Sequence, residues 1–164
     1  MAERLTLDEA DLRILSALQK DGTLSIAALS EAINLSHNSC WRRLKRLEAA
    51  GAIKGRVALL DADKLGLAMT AYVSVRTSEH NDQWLADFKR AVAALPEIVE
   101  LYRMTGDVDY LMKIRIADIG AYDAVYKKLI GMVKLTDVSS AFAMEEMKNT
   151  TELPLSTSPL AIAR

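Results

Sequence analysis

The spacing of apolar residues changes character near Ala68, and that change decides which folds are open to the chain. Before it, apolar residues recur at helical intervals: Leu12, Ile14, Leu15 and Leu18 in one stretch, Ile26, Leu29 and Ile33 in the next, Cys40, Leu44 and Leu47 in a third. After it, Ala71, Val73 and Val75 alternate with Tyr72, Ser74 and Arg76, the period of a half-buried strand. A helical half followed by a strand-rich half reads as two small domains, which 164 residues accommodate.

Punctuation supports three helices in the first half. Asp8 is placed to cap the first, and Asp21-Gly22 stops it. Ser25 can cap the second. Asn34-Leu35-Ser36 is a short turn with Ser36 as the next N-cap, and Gly51 follows the third helix as its C′ residue. Two short helices, a tight turn and a basic second helix form a helix-turn-helix pattern. Ile53 to Asp61 reads as a strand and, with Ala62 to Leu67, as the connector between domains.

In the second half, Trp84, Phe88, Val92 and Leu95 fall at helical spacing until Pro96. Ile98 to Met104 reads as a strand, Thr105-Gly106-Asp107 as a turn, and Tyr110 to Ile116 as a third strand. Ile119, Tyr122, Tyr126 and Leu129 mark a second helix. Thr136 to Met147 reads as a fourth strand with Val138, Ser140, Phe142 and Met144 on one face. The order βαββαβ is a ferredoxin-like split unit whose helices cover one face of the sheet. The other face, carrying Tyr102, would stay wet in a monomer, which argues for dimerisation.

Net charge is near zero, yet six basic residues stand against the single acid Glu48 between Ser36 and Leu60, about +5 in one stretch. From Met69 onward 13 acids outnumber 11 bases. A polyanion partner for the N-terminal part follows, and the third helix shows how it would be met. Its apolar face is Cys40, Leu44 and Leu47; its opposite face is Asn38, Arg42 and Lys45, with Arg46 beside them. Arginine pairs in bidentate fashion with guanine and asparagine with adenine, while lysines and other arginines hold phosphates. His37 and Ser39 lie near the helix N-terminus, and Trp41 sits at the helix edge or against a DNA backbone. Cys40 is expected to pack as a small hydrophobe.

Other classes fare worse. The charged start, Met1-Ala-Glu-Arg, lacks the apolar core of a signal peptide, and no apolar run reaches the roughly 20 residues of a membrane span. One cysteine and two histidines, His37 and His80, form no metal-ligand cluster, and no phosphate-binding loop or nucleophile motif is present. No enzyme activity, cofactor or metal is expected. A cytoplasmic, nucleoid-associated protein is.

The motifs resemble those of the Lrp/AsnC, or feast/famine, family of transcriptional regulators over nearly the whole chain. The N-terminal signature is Leu7-Asp8, Asp11, Ile14-Leu15, Leu18-Gln19 and Asp21-Gly22, continued by Leu29-Ser30, Leu35-Ser36, Arg43-Leu44, Arg46-Leu47-Glu48, Gly51 and Ile53. The C-terminal signature is Gly106-Asp107, Asp109-Tyr110-Leu111 and then Lys148, Thr150-Thr151 and Leu153-Pro154-Leu155. The resemblance implies an α+β chain: a winged helix-turn-helix domain (1–56), a hinge strand (57–68), a ferredoxin-like ligand-binding and oligomerisation domain (69–154) and a tail (155–164). It implies double-stranded DNA held by His37, Asn38, Ser39, Trp41, Arg42, Arg43, Lys45 and Arg46. Dimers would assemble further, commonly to octamers. An amino-acid effector would meet Gly106, Asp107, Asp109 and Tyr110, with Asp118, Thr136, Asp137, Ser139 and Ser140 as further candidates. Asp107 and Asp109 read equally as a structural turn bonding its own backbone. A narrower similarity, in Ser39-Cys40-Trp41, Val57-Ala58-Leu59-Leu60-Asp61 and Phe142-Ala143-Met144-Glu145, is to a cysteine-responsive branch and makes L-cysteine a candidate effector. The alternative is an architectural DNA-compacting protein with weak sequence preference, which shares every DNA-binding feature.

Overall fold

A computed structural model describes residues 5–159. The reading of the chain start falls partly on residues 1–4, and that of the tail partly on 160–164, both outside the described residues. The chain divides into two compact units: one runs up to Leu59 and includes the segment from Lys148 on, the other is Leu60–Met147.

The first unit holds α1 (Glu9–Lys20), α2 (Ile26–Ala32) and α3 (His37–Ala49). Each starts on a side-chain cap. Asp8 and Asp11 form a capping box, each carboxylate accepting from the other's backbone N–H at 2.9 and 3.1 Å. Ser25 Oγ accepts from the N–H of Ala28 at 3.1 Å, and Ser36 Oγ from that of Ser39 at 3.3 Å. Between α2 and α3, Asn34 turns the chain at φ 54°, a left-handed conformation that asparagine tolerates. Gly51, at φ 71°, closes α3 where a side chain would strain. The apolar stripes then meet: Ile14, Leu29, Ile33, Cys40, Leu44 and Leu47 are all buried. Each such side chain contributes about 1.5–3 kcal/mol when taken from water.

One expectation changes here. Ile53–Asp61 forms no strand among the described residues. Val57, Leu59 and Leu60 are exposed, and no neighbouring strand of the same chain offers the ladder that β-structure needs. The connector, expected to be a hinge strand over 57–68, instead turns at Asp61, whose carboxylate accepts the N–H groups of Asp63 and Lys64 at 3.1 and 3.2 Å. The segment from Lys148 on, whose first residues were expected with the second domain as far as 154, groups in space with the first unit. From Lys148 the chain belongs with α1, where the Gln19 side-chain amide donates to the Leu153 carbonyl (3.1 Å) and accepts the Leu153 N–H (3.0 Å). A side-chain amide there does what a neighbouring strand would do.

The second unit is β1 (Met69–Arg76), α4 (Asp82–Ala93), β2 (Ile98–Arg103), β3 (Tyr110–Ile116), α5 (Ile119–Met132) and β4 (Asp137–Phe142). All neighbours in the sheet, ordered β2-β3-β1-β4, are antiparallel. The period-2 pattern puts Ala71, Val73 and Val75 of β1 and Met112, Ile114 and Ile116 of β3 on the helix side, against Phe88 and Ala91 of α4 and Val125 and Leu129 of α5. Trp84, Phe88 and Tyr110 form an aromatic cluster with centroids 4.9–5.7 Å apart. The opposite face carries Tyr72 and Tyr102, 43% and 51% exposed, with Glu100 and Lys113 between them. β4 is shorter than expected. Its ladder with β1 ends at Phe142 opposite Ala71, beyond which Met144 and Met147 lie exposed with no strand to pair.

Candidate nucleic-acid interface and effector turn

Burial of Cys40, Leu44 and Leu47 fixes the rotation of α3 and turns His37, Asn38, Trp41, Arg42 and Lys45 outward, all exposed; Ser39 is half-buried. Burial raises the Cys40 thiol above its ordinary pKa, so the side chain is held as a neutral hydrophobe. Trp41 is 51% exposed beside Arg42. Among the described residues no ion pair engages Arg42, whereas Lys45 Nζ lies 2.8 Å from Glu48.

The other two arginines of α3, Arg43 half-buried and Arg46 exposed, form ion pairs with acids at the start of α1. Arg43 donates to Asp8 at 2.6 Å and to Asp11 at 3.0 Å. Arg46 pairs with the second Asp11 oxygen and reaches the Thr6 carbonyl at 3.4 Å. The Asp11 side chain is 1% exposed. Burial works to raise the pKa of Asp8, but the Asp11 N–H and the Arg43 guanidinium overcome it and hold the carboxyl below its ordinary value. Helical periodicity places Arg46 near the polar face; it carries no information about acids on another helix.

In the second unit the structure gathers Gly106, Asp107, Asp109, Thr136 and Asp137 around the end of β1. Gly106 adopts φ 100°, which a side chain would strain. Arg76 Nε donates to the Asp107 carbonyl at 2.7 Å, and its guanidinium lies 3.9 Å from the Asp137 carboxylate. The Thr77 N–H donates to Asp109 Oδ2 at 2.8 Å, and the Ser78 N–H to Thr136 Oγ1 at 2.9 Å. Asp109 thus has at least one carboxylate oxygen engaged by backbone. The Asp107 side chain is exposed, and no ion pair engages it among the described residues. Arg76, Thr77 and Ser78 were not foreseen; the one signal was an arginine at the last position of a strand, facing the Gly-Asp turn only once β1 and β3 pair.

The remaining expected residues lie elsewhere. Tyr110 is 7% exposed and belongs to the aromatic core, because alternation along β3 aims it at the helices. Asp118 caps α5, its carboxylate accepting the Ala121 N–H at 2.8 Å. It lies beyond the far end of β3, about 20 Å from the turn at 3.3 Å per residue. Ser139 is opposite Ser74, while Ser140 is opposite Val73 and its hydroxyl bonds that of Tyr122. Neighbours along a strand face opposite ways, so the two hydroxyls lie on opposite faces of the sheet.

Known proteins resemble the chain in sequence and fold. Residues 7–54 match the winged helix-turn-helix DNA-binding family, and residues 70–153 match the Lrp/AsnC ligand binding domain. The chain is 52% identical to the glutamate uptake regulatory protein of Zymomonas mobilis, over 91% of each chain. It is 48% identical to the DNA-binding transcriptional activator DecR of Escherichia coli, over 91% of this chain and 99% of the other. Among solved structures, an AsnC family transcriptional regulator from Agrobacterium tumefaciens superposes with a TM-score of 0.88 at 50% identity, covering 92% of this chain and 98% of that one. A transcriptional regulator from Neisseria meningitidis, solved as its L-Met complex, does so at 0.86 and 36%, covering 92% and 97%.

Proposed function

Since the chain belongs to the Lrp/AsnC family of DNA-binding transcriptional regulators, we propose that α3 reads an operator in the major groove and that the Leu60–Met147 unit makes this binding responsive to an amino acid. The observation that carries the first part is the division of α3 into a buried apolar face and an outward face of Asn38, Arg42 and Lys45. Those three are a base-reading pair and a phosphate ligand. His37, Ser39 and Trp41 flank them. Dimers would present two such helices to a pseudo-palindromic site and assemble further, commonly to octamers, in the cytoplasm on the nucleoid.

The effector is assigned to the end of β1. Arg76 supplies a cation and Asp107 an exposed carboxylate within one turn, the two charges that the carboxylate and ammonium of a free amino acid require. Thr136 and Asp137 complete the rim. L-cysteine is the first candidate, on the motifs shared with the cysteine-responsive branch. Glutamate and methionine are the natural competitors, given the names of the two relatives above.

The test is fluorescence anisotropy of a labelled fragment from upstream of the protein's own gene, at one salt concentration, against a scrambled fragment. It is run with and without L-cysteine, L-glutamate, L-methionine and other amino acids. Selective binding that shifts with cysteine alone supports the full proposal. A shift with another amino acid keeps the regulator and replaces the effector. Equal binding to both fragments, indifferent to every ligand, is the behaviour of a DNA-compacting protein.

A further inference from the structure

The basic stretch around α3 carries about +5, yet part of that charge is paired with acids at the start of α1. We propose that Asp8 and Asp11 are specificity residues: they hold Arg43 and Arg46 in ion pairs, so that α3 meets DNA through Arg42 and its polar neighbours rather than through its full cationic complement. The inference rests on α3 being the DNA-reading helix.

The geometry commits each oxygen of Asp11. Oδ1 takes Arg43 at 3.0 Å, and Oδ2 takes Arg46 together with the Asp8 backbone N–H at 3.1 Å. Arg43 also reaches Asp8 at 2.6 Å. At 1% exposure Asp11 cannot exchange these partners for water, and a buried charge stripped of its partner is strongly unfavourable. The arginines are therefore held even when phosphates are near. Lys45 is offset by Glu48 at 2.8 Å, which leaves Arg42 as the α3 cation without an ion pair among the described residues.

The consequence concerns selectivity. Affinity for any DNA grows with the number of phosphates neutralised, whereas selectivity is the ratio of operator to non-operator affinity. Two arginines held in ion pairs with acids lower the sequence-independent term and leave base reading by Asn38 and Arg42 untouched. Asp8 and Asp11 touch no nucleotide; they act through the arginines they hold.

The salt dependence of DNA binding separates this from a purely structural role. Each phosphate contact adds about 0.9 to the slope of log affinity against log salt. Full-length protein is compared with Arg46→Gln, Arg42→Gln and the double variant Asp8→Asn with Asp11→Asn, on operator and scrambled fragments, after a thermal melt shows each folded. The proposal expects Arg46→Gln to keep the parent slope. It expects the double variant to steepen the slope by about 0.9 for each released arginine that meets a phosphate, up to about 1.8 per protomer engaged, and to lower the operator-to-scrambled ratio. A slope shallower by about 0.9 per protomer in Arg46→Gln overturns it, because Arg46 would then be a phosphate ligand. If the double variant fails to fold, Arg46→Gln decides alone. If Arg42→Gln changes neither slope nor sequence preference, the premise that α3 reads DNA is lost and the proposal falls with it.

Discussion

Two aspartates in one turn have different duties. The Asp109 carboxylate accepts the N–H of Thr77, a residue 7% exposed, so Asp109→Ala strands a buried donor and is expected to cost about 1–3 kcal/mol. Asp107 contributes its carbonyl to Arg76 but leaves its carboxylate in solvent, so Asp107→Ala is expected to change stability by less than about 0.5 kcal/mol. Urea denaturation of both variants checks the pair. Effector titrations should then show Asp107→Ala blind to the amino acid while DNA binding without effector persists. An unchanged effector response would remove Asp107 from the site.

At the scale of elements, caps and straps set which segments hold. The Ser36 hydroxyl satisfies the Ser39 N–H at the start of α3, and Ser36→Ala is expected to cost about 1 kcal/mol. With α3 as the proposed DNA-reading helix, the same variant should weaken operator binding, with the loss visible in both a thermal melt and an anisotropy titration. The C-terminal strap depends on one side chain. Replacing Gln19 with alanine removes both hydrogen bonds to Leu153, and the Leu153 amide should then exchange its hydrogen at the rate of an open segment, measured by hydrogen–deuterium exchange. Helices and their caps were legible in the sequence because cap, periodicity and stop signal lie within a few residues of one another. The hinge strand and the last stretch of β4 were misread for the converse reason. Val57 to Leu60 and Met144 to Met147 were read as strand, but a strand exists only where a second backbone supplies its hydrogen bonds, and that supply ends with the Ala143 N–H on the Thr70 carbonyl.

For the whole molecule, acid is expected to loosen both units. Asp8 has a folded-state pKa below its ordinary 3.8, held there against burial by the Asp11 N–H and Arg43. Glu100 lies below its ordinary 4.5 through the Tyr102 hydroxyl, with burial opposing and Lys113 assisting. A depressed carboxylate stabilises the folded state above its unfolded pKa, and the contribution is lost as pH falls through the folded value. Melting temperature should therefore be insensitive to these groups at neutral pH and fall below about pH 4.5. Asp8→Asn should remove part of the acid sensitivity. The open sheet face makes a separate prediction. Tyr72 and Tyr102 stand half exposed on it, and Tyr102→Asp, which adds charge beside Glu100, should shift sedimentation velocity toward the monomer. An unaltered sedimentation profile would mean that the protomers associate through another surface.

Two helical periods, a βαββαβ order, the caps at Asp8, Ser25 and Ser36 and the outward face of α3 are properties of neighbours along the chain, and dihedral repeats carry them without any tertiary contact. The family signatures were readable for the same reason, as residue types at fixed spacing. Tertiary structure decided what depends on partners far apart in sequence. Arg46 meets an acid 35 residues away, Leu153 meets Gln19 across 134, and Asp109 meets Thr77 across 32. Charge and hydrogen-bonding capacity are written in the residue, but whether they face solvent or a partner is set by which helices and strands the core brings together.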